Sequence, residues 1–149
     1  MRYIRRMTCA GCDRIARMRE GKDEDFVAEL SESFVALADE QAYRGYCIVF
    51  LRDHADALDE LSYERQQKLF EDVMRVAKAL RAEVAPERIN YACLGNFLTH
   101  VHWHVIPRQA DDPEKQHPIW VRPLAERLKP LAGGEKRTLI AALRKRLGR

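Results

Sequence analysis

The chain has 149 residues, 46% hydrophobic and 33% charged, with a formal net charge of +3. That length suits one domain, read as residues 1–149, with a core of its own. The charge is too mild for the basic stripe of a nucleic-acid binder, and no apolar run nears the ~20 residues of a membrane span, so neither partner is expected. The start "MRYIRRMTCAGC" has basic residues but no apolar h-region. No secretory signal is expected there, and a cytoplasmic location is the default. Without a leader, the four cysteines are expected to stay reduced. Cys47 and Cys93 lie in the apolar runs "GYCIVFL" and "INYACLG" and read as buried free thiols on strands. Cys9 and Cys12 form a CxxC in a polar, turn-like setting.

In chain order, "DFVAELSESFVALAD" reads as two short strands around a turn at Ser31–Ser33. "GYCIVFLR", Gly45–Arg52, is a nearly continuous apolar run and reads as a buried strand. A long helix follows. Leu69, Phe70, Val73, Val76, Ala77, Leu80 and Val84 recur at helical spacing, Ser62 is a suitable N-cap, and Pro86 lies past the end. Arg88–Asn96 is a further strand and "HVHWHVIP" the next. The tail "KRTLIAALRKRLGR" predicts an amphipathic helix with Leu139, Ile140, Leu143 and Leu147 on one side and a solvated basic face. This order lacks strand–helix alternation and predicts an α+β fold: a largely antiparallel sheet carrying helices on one face.

His100, His102 and His104 alternate with Val101, Trp103 and Val105. A strand rises about 3.3 Å per residue and alternates its side chains, so the three histidines share one face. The apolar set belongs to the core, which turns the histidines towards a cleft or solvent. One zinc cannot take all three. His100 and His104 lie roughly 13 Å apart along a strand, whereas Zn–N bonds are about 2.0–2.1 Å; a metal can hold one or two. What remains is nucleophilic and electrostatic chemistry on an anion, for which imidazole is suited. No GxSxG, P-loop or GxGxxG offers another catalytic apparatus.

"HVHWHV" followed by "IPR" resembles the signature of the histidine-triad (HIT) family, most closely its bacterial zinc-carrying branch with an N-terminal CxxC. "LRDH", the long helix and "INYACLGN" fall in the family's order. The resemblance covers roughly Cys9–Arg108, leaving 109–149 as a C-terminal extension. It implies a HIT-like sheet of about five strands with one long and one C-terminal helix. It also implies cleavage at the α-phosphate of dinucleoside polyphosphates or nucleoside phosphoramidates through a nucleotidyl-histidine. The catalytic set would be His102 as nucleophile, His104 on the non-bridging oxygens, and His100. Asp39, with Glu40 as the other choice, would bind the ribose. Asn90 or Asn96 would help hold the nucleotide, and Arg108 lies in reach of a phosphate. The zinc-carrying branch implies a structural zinc on Cys9, Cys12, His54 and His100, and no organic cofactor is implied.

Family members commonly form homodimers and bind purine nucleotides, so both are expected. The segment "GNFLTH" offers only Asn96 and Thr99 as polar groups before the triad, which leaves the leaving-group preference open. His117 receives no role, and Trp120 either covers the cleft or packs on the body. The alternatives are a purine-nucleotide-binding or scaffold protein with little turnover, and a hydrolase using zinc at the triad.

Overall fold

The computed structural model describes residues 9–149; the reading of the first eight residues as no leader lies outside them. Five strands pair antiparallel: β1 (Phe26–Glu29), β2 (Ser33–Leu37), β3 (Cys47–Leu51), β4 (Arg88–Ala92) and β5 (His102–Arg108), in the order β1-β2-β3-β5-β4. The helices are α1 (Ala10–Arg19), α2 (Tyr63–Val84), α3 (Leu124–Arg127) and α4 (Gly133–Arg146). The α+β class and the strand–strand–strand–helix–strand–strand order hold as expected.

Helix α2 starts at Ser62, whose hydroxyl accepts from the Arg65 N–H, and ends at Ala85 in a left-handed conformation before Pro86. Its row Leu69, Val73, Val76 and Leu80 enters the main core with Val35, Val49, Leu51 and Val105. Phe70, expected in that stripe, stands one position off the row and is 53% exposed. Asp72 is buried instead and accepts from the Glu32 N–H and the Ser33 hydroxyl, both at 2.8 Å. It ties the helix to the β1–β2 turn. That turn is Leu30–Glu32, since Ser33 already pairs with Leu51 on β3.

Leu139, Ile140, Leu143 and Leu147 of the tail join the same core. The basic face of α4 also binds the body: Arg144 donates to the carbonyls of Phe26 and Val27, and Arg146 pairs with Glu83. Arg144 thereby caps the outer edge of β1, where carbonyls would otherwise offer a pairing template.

Three expectations need correction. Helices cover both faces of the sheet, because α1 packs Ile15 and Met18 on Phe34, Ala36 and Phe50. With two large apolar residues among charges, α1 hid its periodicity, and the CxxC opens a helix rather than a turn. Strand β4 stops at Ala92 and β5 begins at His102, so Cys93–Val101 is irregular and Cys93 is half-buried off the strand. Cys47 is wholly buried, and burial pushes its thiol up to about 12. Finally, Pro107 sits inside β5, but β3 has ended opposite Val105, so no ladder bond is lost on that side. Among the described residues no helix is long and apolar enough to cross a membrane.

Candidate active site and metal centre

Antiparallel partners share a face. Phe50 lies opposite His102, Ile48 and Ala92 flank His104, and Asn90 lies opposite Ile106. Val105 on the other face is wholly buried against the α2 side, with Trp103 packed against the same core. The histidine face is roofed at both ends. At one end α1 covers Phe34 and Phe50; at the other Tyr43, Tyr46, Ile106 and Ile119 cluster. Ile48 packs against both clusters and stays partly exposed, so the cleft opens over Ile48 and His104. Trp120 stands edge-on to His104 with ring centroids 5.4 Å apart, covering the cleft.

Hydrogen bonds decide what each imidazole can do. His102 Nδ1 lies 2.7 Å from the His100 carbonyl oxygen. A carbonyl only accepts, so Nδ1 carries a proton, and in the neutral ring Nε2 keeps its lone pair. The His102 ring stacks on Phe50 at 5.9 Å and meets His104 edge-on at 4.8 Å. His104 Nδ1 lies 2.5 Å from the Tyr46 hydroxyl. Burial, then the neighbouring His102, hold the His104 imidazolium down to about 4, so at neutral pH this ring is uncharged. Tyr46 was not singled out from the sequence. The available signal was the alternation Tyr46, Ile48, Phe50 within a run that reads as continuously apolar.

His100 lies just before β5, wholly buried rather than facing a cleft. Its Nε2 donates to the Leu51 carbonyl at 2.8 Å, which leaves Nδ1 with a lone pair. That nitrogen lies 3.6 Å from Cys9 Sγ and 3.5 Å from Cys12 Sγ. Both ring nitrogens are thereby committed, so His100 reaches the face that carries His102 and His104 only through its carbonyl, on His102. His54 repeats the pattern: Nε2 meets Asp56 at 3.2 Å and Nδ1 faces Cys12 Sγ at 3.6 Å. The Thr99 hydroxyl, then His54, hold the Asp56 carboxyl below its ordinary value.

Cys9 caps α1 and Cys12 follows one turn later, so both sulfurs share a helix face. The four donor atoms all lie within 4.8 Å of one another, and three of the sulfur–nitrogen pairs lie at 3.5–3.6 Å, the ~3.5 Å edge of a tetrahedron built on zinc–ligand bonds of about 2.0–2.3 Å. Two thiols and two imidazoles with inward lone pairs fit a tetrahedral ion of zinc type. Gly11 permits this approach: a Cβ there would stand 2.8 Å from His100 Cγ.

The remaining predicted residues separate. Asp39, after β2, is exposed; its carbonyl accepts from the Gln41 N–H, and its carboxylate enters no hydrogen bond or ion pair among the described residues, whereas Glu40 is ion-paired with Arg127. Asn96 is exposed in the loop before β5. Arg108 does not face an open phosphate site. It is 2% exposed and donates to the Asp112 carboxylate, to Asn90 Oδ1, and to the His117 and Glu114 carbonyls, so the Asn90 amide oxygen is already occupied by the guanidinium. This buried arginine fastens the loop that carries Trp120. A groove of about 900 Å³ runs along β4 between Glu87–Ala92 and Lys115–Trp120, and no triad histidine lines it.

Residues 19–111 match the family model of the HIT domain. The chain belongs to the HIT family. The adenosine 5'-monophosphoramidase hnt1 of Schizosaccharomyces pombe is 31% identical over 93 residues, 58% of this chain and 65% of that protein. Among solved structures, a HIT protein from Sinorhizobium meliloti 1021 is similar at 25% identity with a TM-score of 0.74, over 85% of this chain and 93% of that one. A zinc-bound HIT family protein from Mycobacterium smegmatis shares the fold at 23% identity and a TM-score of 0.69, over 93% and 95% of the two chains.

The HIT cleft carries a pH signature. Between pH 6.5 and about 4, His104 binds fewer protons folded than unfolded. Its contribution is therefore intact above pH 6.5 and lost as pH falls through that window. At ~1.4 kcal/mol per tenfold in proton affinity the loss is capped at about 3 kcal/mol, less what solvent screening removes at a partly exposed ring. Denaturant unfolding from pH 7 to 4.5 is expected to cost wild type about 1–2 kcal/mol more than His104→Gln. Parallel pH dependences in the two proteins would refute the burial of His104.

Proposed function

We propose that this HIT protein is a nucleotide phosphate hydrolase or transferase, acting on nucleoside phosphoramidates or dinucleoside polyphosphates with His102 as nucleophile. One observation carries the reading: His102, with Nδ1 bound to the His100 carbonyl, keeps its Nε2 lone pair when neutral, and its ring lies edge-on to the uncharged His104, over which the cleft opens. The Nε2 lone pair forms an N–P bond to the α-phosphorus, and the bond to the leaving group breaks with its electron pair. Water supplies the proton the leaving group needs. His104 donates to a non-bridging oxygen as charge builds. Attack by water on phosphorus then returns the electron pair to Nε2 and frees the nucleoside monophosphate, and the attacking water's proton passes to solvent, balancing the one taken by the leaving group.

Asp39, exposed and with its carboxylate unpaired among the described residues where Glu40 is occupied, is the proposed ribose ligand, with Asn96 as a loop contact to the nucleotide. Arg108 and Asn90 are proposed to act indirectly, by holding the Trp120 loop. We assign a structural zinc to Cys9, Cys12, His54 and His100, a reading supported by the donor set and by the zinc named for the M. smegmatis relative. The zinc would tie α1 to the segment entering β5. Strand β4 has no partner on its outer edge among the described residues, and Tyr91 and Leu94 are exposed there, which supports a homodimer paired across it. The catalytic core is read as 9–108 of one domain, with 109–149 supplying the Trp120 wall.

The S. pombe relative is named a phosphoramidase, and this guides the test. The purified chain is incubated separately with an adenosine phosphoramidate and a diadenosine polyphosphate, and AMP release is followed by chromatography. Turnover of at least one is expected, at typical rates of order 1–10³ per second. Binding of AMP without turnover of either substrate would replace the enzyme by a nucleotide-binding module.

A further inference from the structure

The Tyr46 side chain is held with unusual completeness for a residue outside the triad. It is 1% exposed, at the residue before β3, on the histidine face. Its N–H donates to the Tyr43 carbonyl, and its carbonyl accepts from the Ala38 N–H and Gln41 Nε2. Gln41 is itself buried and also accepts from the Gly45 N–H, closing the turn that delivers Tyr46. Gly45 has φ +91, a left-handed conformation that other residues rarely adopt. The ring packs among Ala38, Tyr43, Ile106 and Ile119. Backbone and ring are thus both fixed, and the phenol oxygen ends 2.5 Å from His104 Nδ1.

The direction of that bond follows by elimination. Nδ1 is the hydroxyl's only hydrogen-bond partner among the described residues. Were Nδ1 the donor, the tyrosine proton would be buried without an acceptor, at a cost of the order that makes such orphans rare. The phenol must therefore donate, Nδ1 must accept, and the ring's one proton must sit on Nε2. Burial and then Glu40 push the phenol above its ordinary range, with Arg127 opposing, and burial keeps His104 uncharged near neutrality.

We infer that Tyr46 is a positioning residue whose phenol O–H fixes His104 as the Nε2–H tautomer, so that a donor and not a lone pair faces the substrate phosphate. The use of that donor rests on the function proposed above; the tautomer does not. Without Tyr46 the ring is free to place its proton on Nδ1, and Nε2 then turns a lone pair towards an anionic oxygen. The effect belongs to the transition state, where negative charge on the phosphoryl oxygens is greatest.

The test uses the full chain, purified without chelator and labelled with ¹⁵N-histidine, in wild type and Tyr46→Phe. In wild type, long-range ¹H–¹⁵N spectra are expected to show His104 with a protonated Nε2 and an unprotonated Nδ1. In Tyr46→Phe the two nitrogens are expected to move towards each other as tautomers exchange. With an active substrate, kcat is expected to fall roughly tenfold, below the ~10²–10³ for outright loss of a charge-stabilising donor, with KM changed less than twofold. A protonated Nδ1 in wild type overturns the inference, as does an unchanged Nε2–H tautomer in Tyr46→Phe. If the variant does not fold, the wild-type spectrum still decides the tautomer. A chain with no turnover would sink the proposed reaction while leaving these spectra to decide the tautomer.

Discussion

His102→Ala is expected to lower turnover of the nucleotide substrate by on the order of 10⁴-fold or more, the scale for removing a nucleophile from a covalent mechanism. The structural cost should be small. Alanine removes one hydrogen bond to the His100 carbonyl and the stacking on Phe50, in a ring that lines the cleft rather than the main core. That amounts to about 1–2 kcal/mol, or a fall of several degrees in the unfolding temperature at this chain length. A folded but inactive variant is therefore the expected pair of results. Rapid quenching with substrate labelled in the α-phosphate adds a direct readout: wild type should retain acid-labile label, and His102→Ala should retain none. Equal turnover in the two proteins, or label still bound to the variant, removes His102 from the nucleophile's role.

The pattern that made His102 legible was the pleat. Alternation alone put His102 and His104 on one face and Val105 on the other, and β5 obeys it. It failed at His100, because the ladder to β3 begins only at His102, and His100 turns under α1 instead. The CxxC stood out as a pair, with a ligand role only through the family resemblance, and was not legible as the first turn of a helix. Only Ile15 and Met18 bury large apolar side chains there, too few to mark a period. Long-range polar geometry was out of reach. Nothing local in "IPRQADD" says that Arg108 folds inward to fasten four partners, two of them carbonyls of the following loop. Likewise, Tyr46 meets His104 across 58 positions of chain, a contact that needs the β3–β5 register before it can be seen.

That same geometry links the proposed metal site to the proposed nucleophile. The purified chain is expected to carry about one zinc, and Cys12→Ser to lose most of it, since a tetrahedral structural site has no spare ligand. Free zinc at a thousandfold over its Kd stabilises by about 4 kcal/mol, which for a chain of this size is roughly 10 °C in unfolding temperature. A chelator should lower the midpoint by that amount, and added zinc should restore it. Gly11→Ala tests the packing separately from the ligands, because all four donors remain while the new methyl meets the His100 ring. It should weaken zinc binding and lower the midpoint without deleting a donor. The consequence extends past stability. His100 holds two positions at once: its ring is held between Leu51 and the sulfurs, and its carbonyl sets the proton on His102 Nδ1. Displacing the ring therefore loosens the hydrogen bond that keeps His102 Nε2 free for phosphorus, and Gly11→Ala should lower kcat more than it raises KM. Metal-free wild-type protein, with a midpoint indifferent to added zinc, would remove the metal from this account.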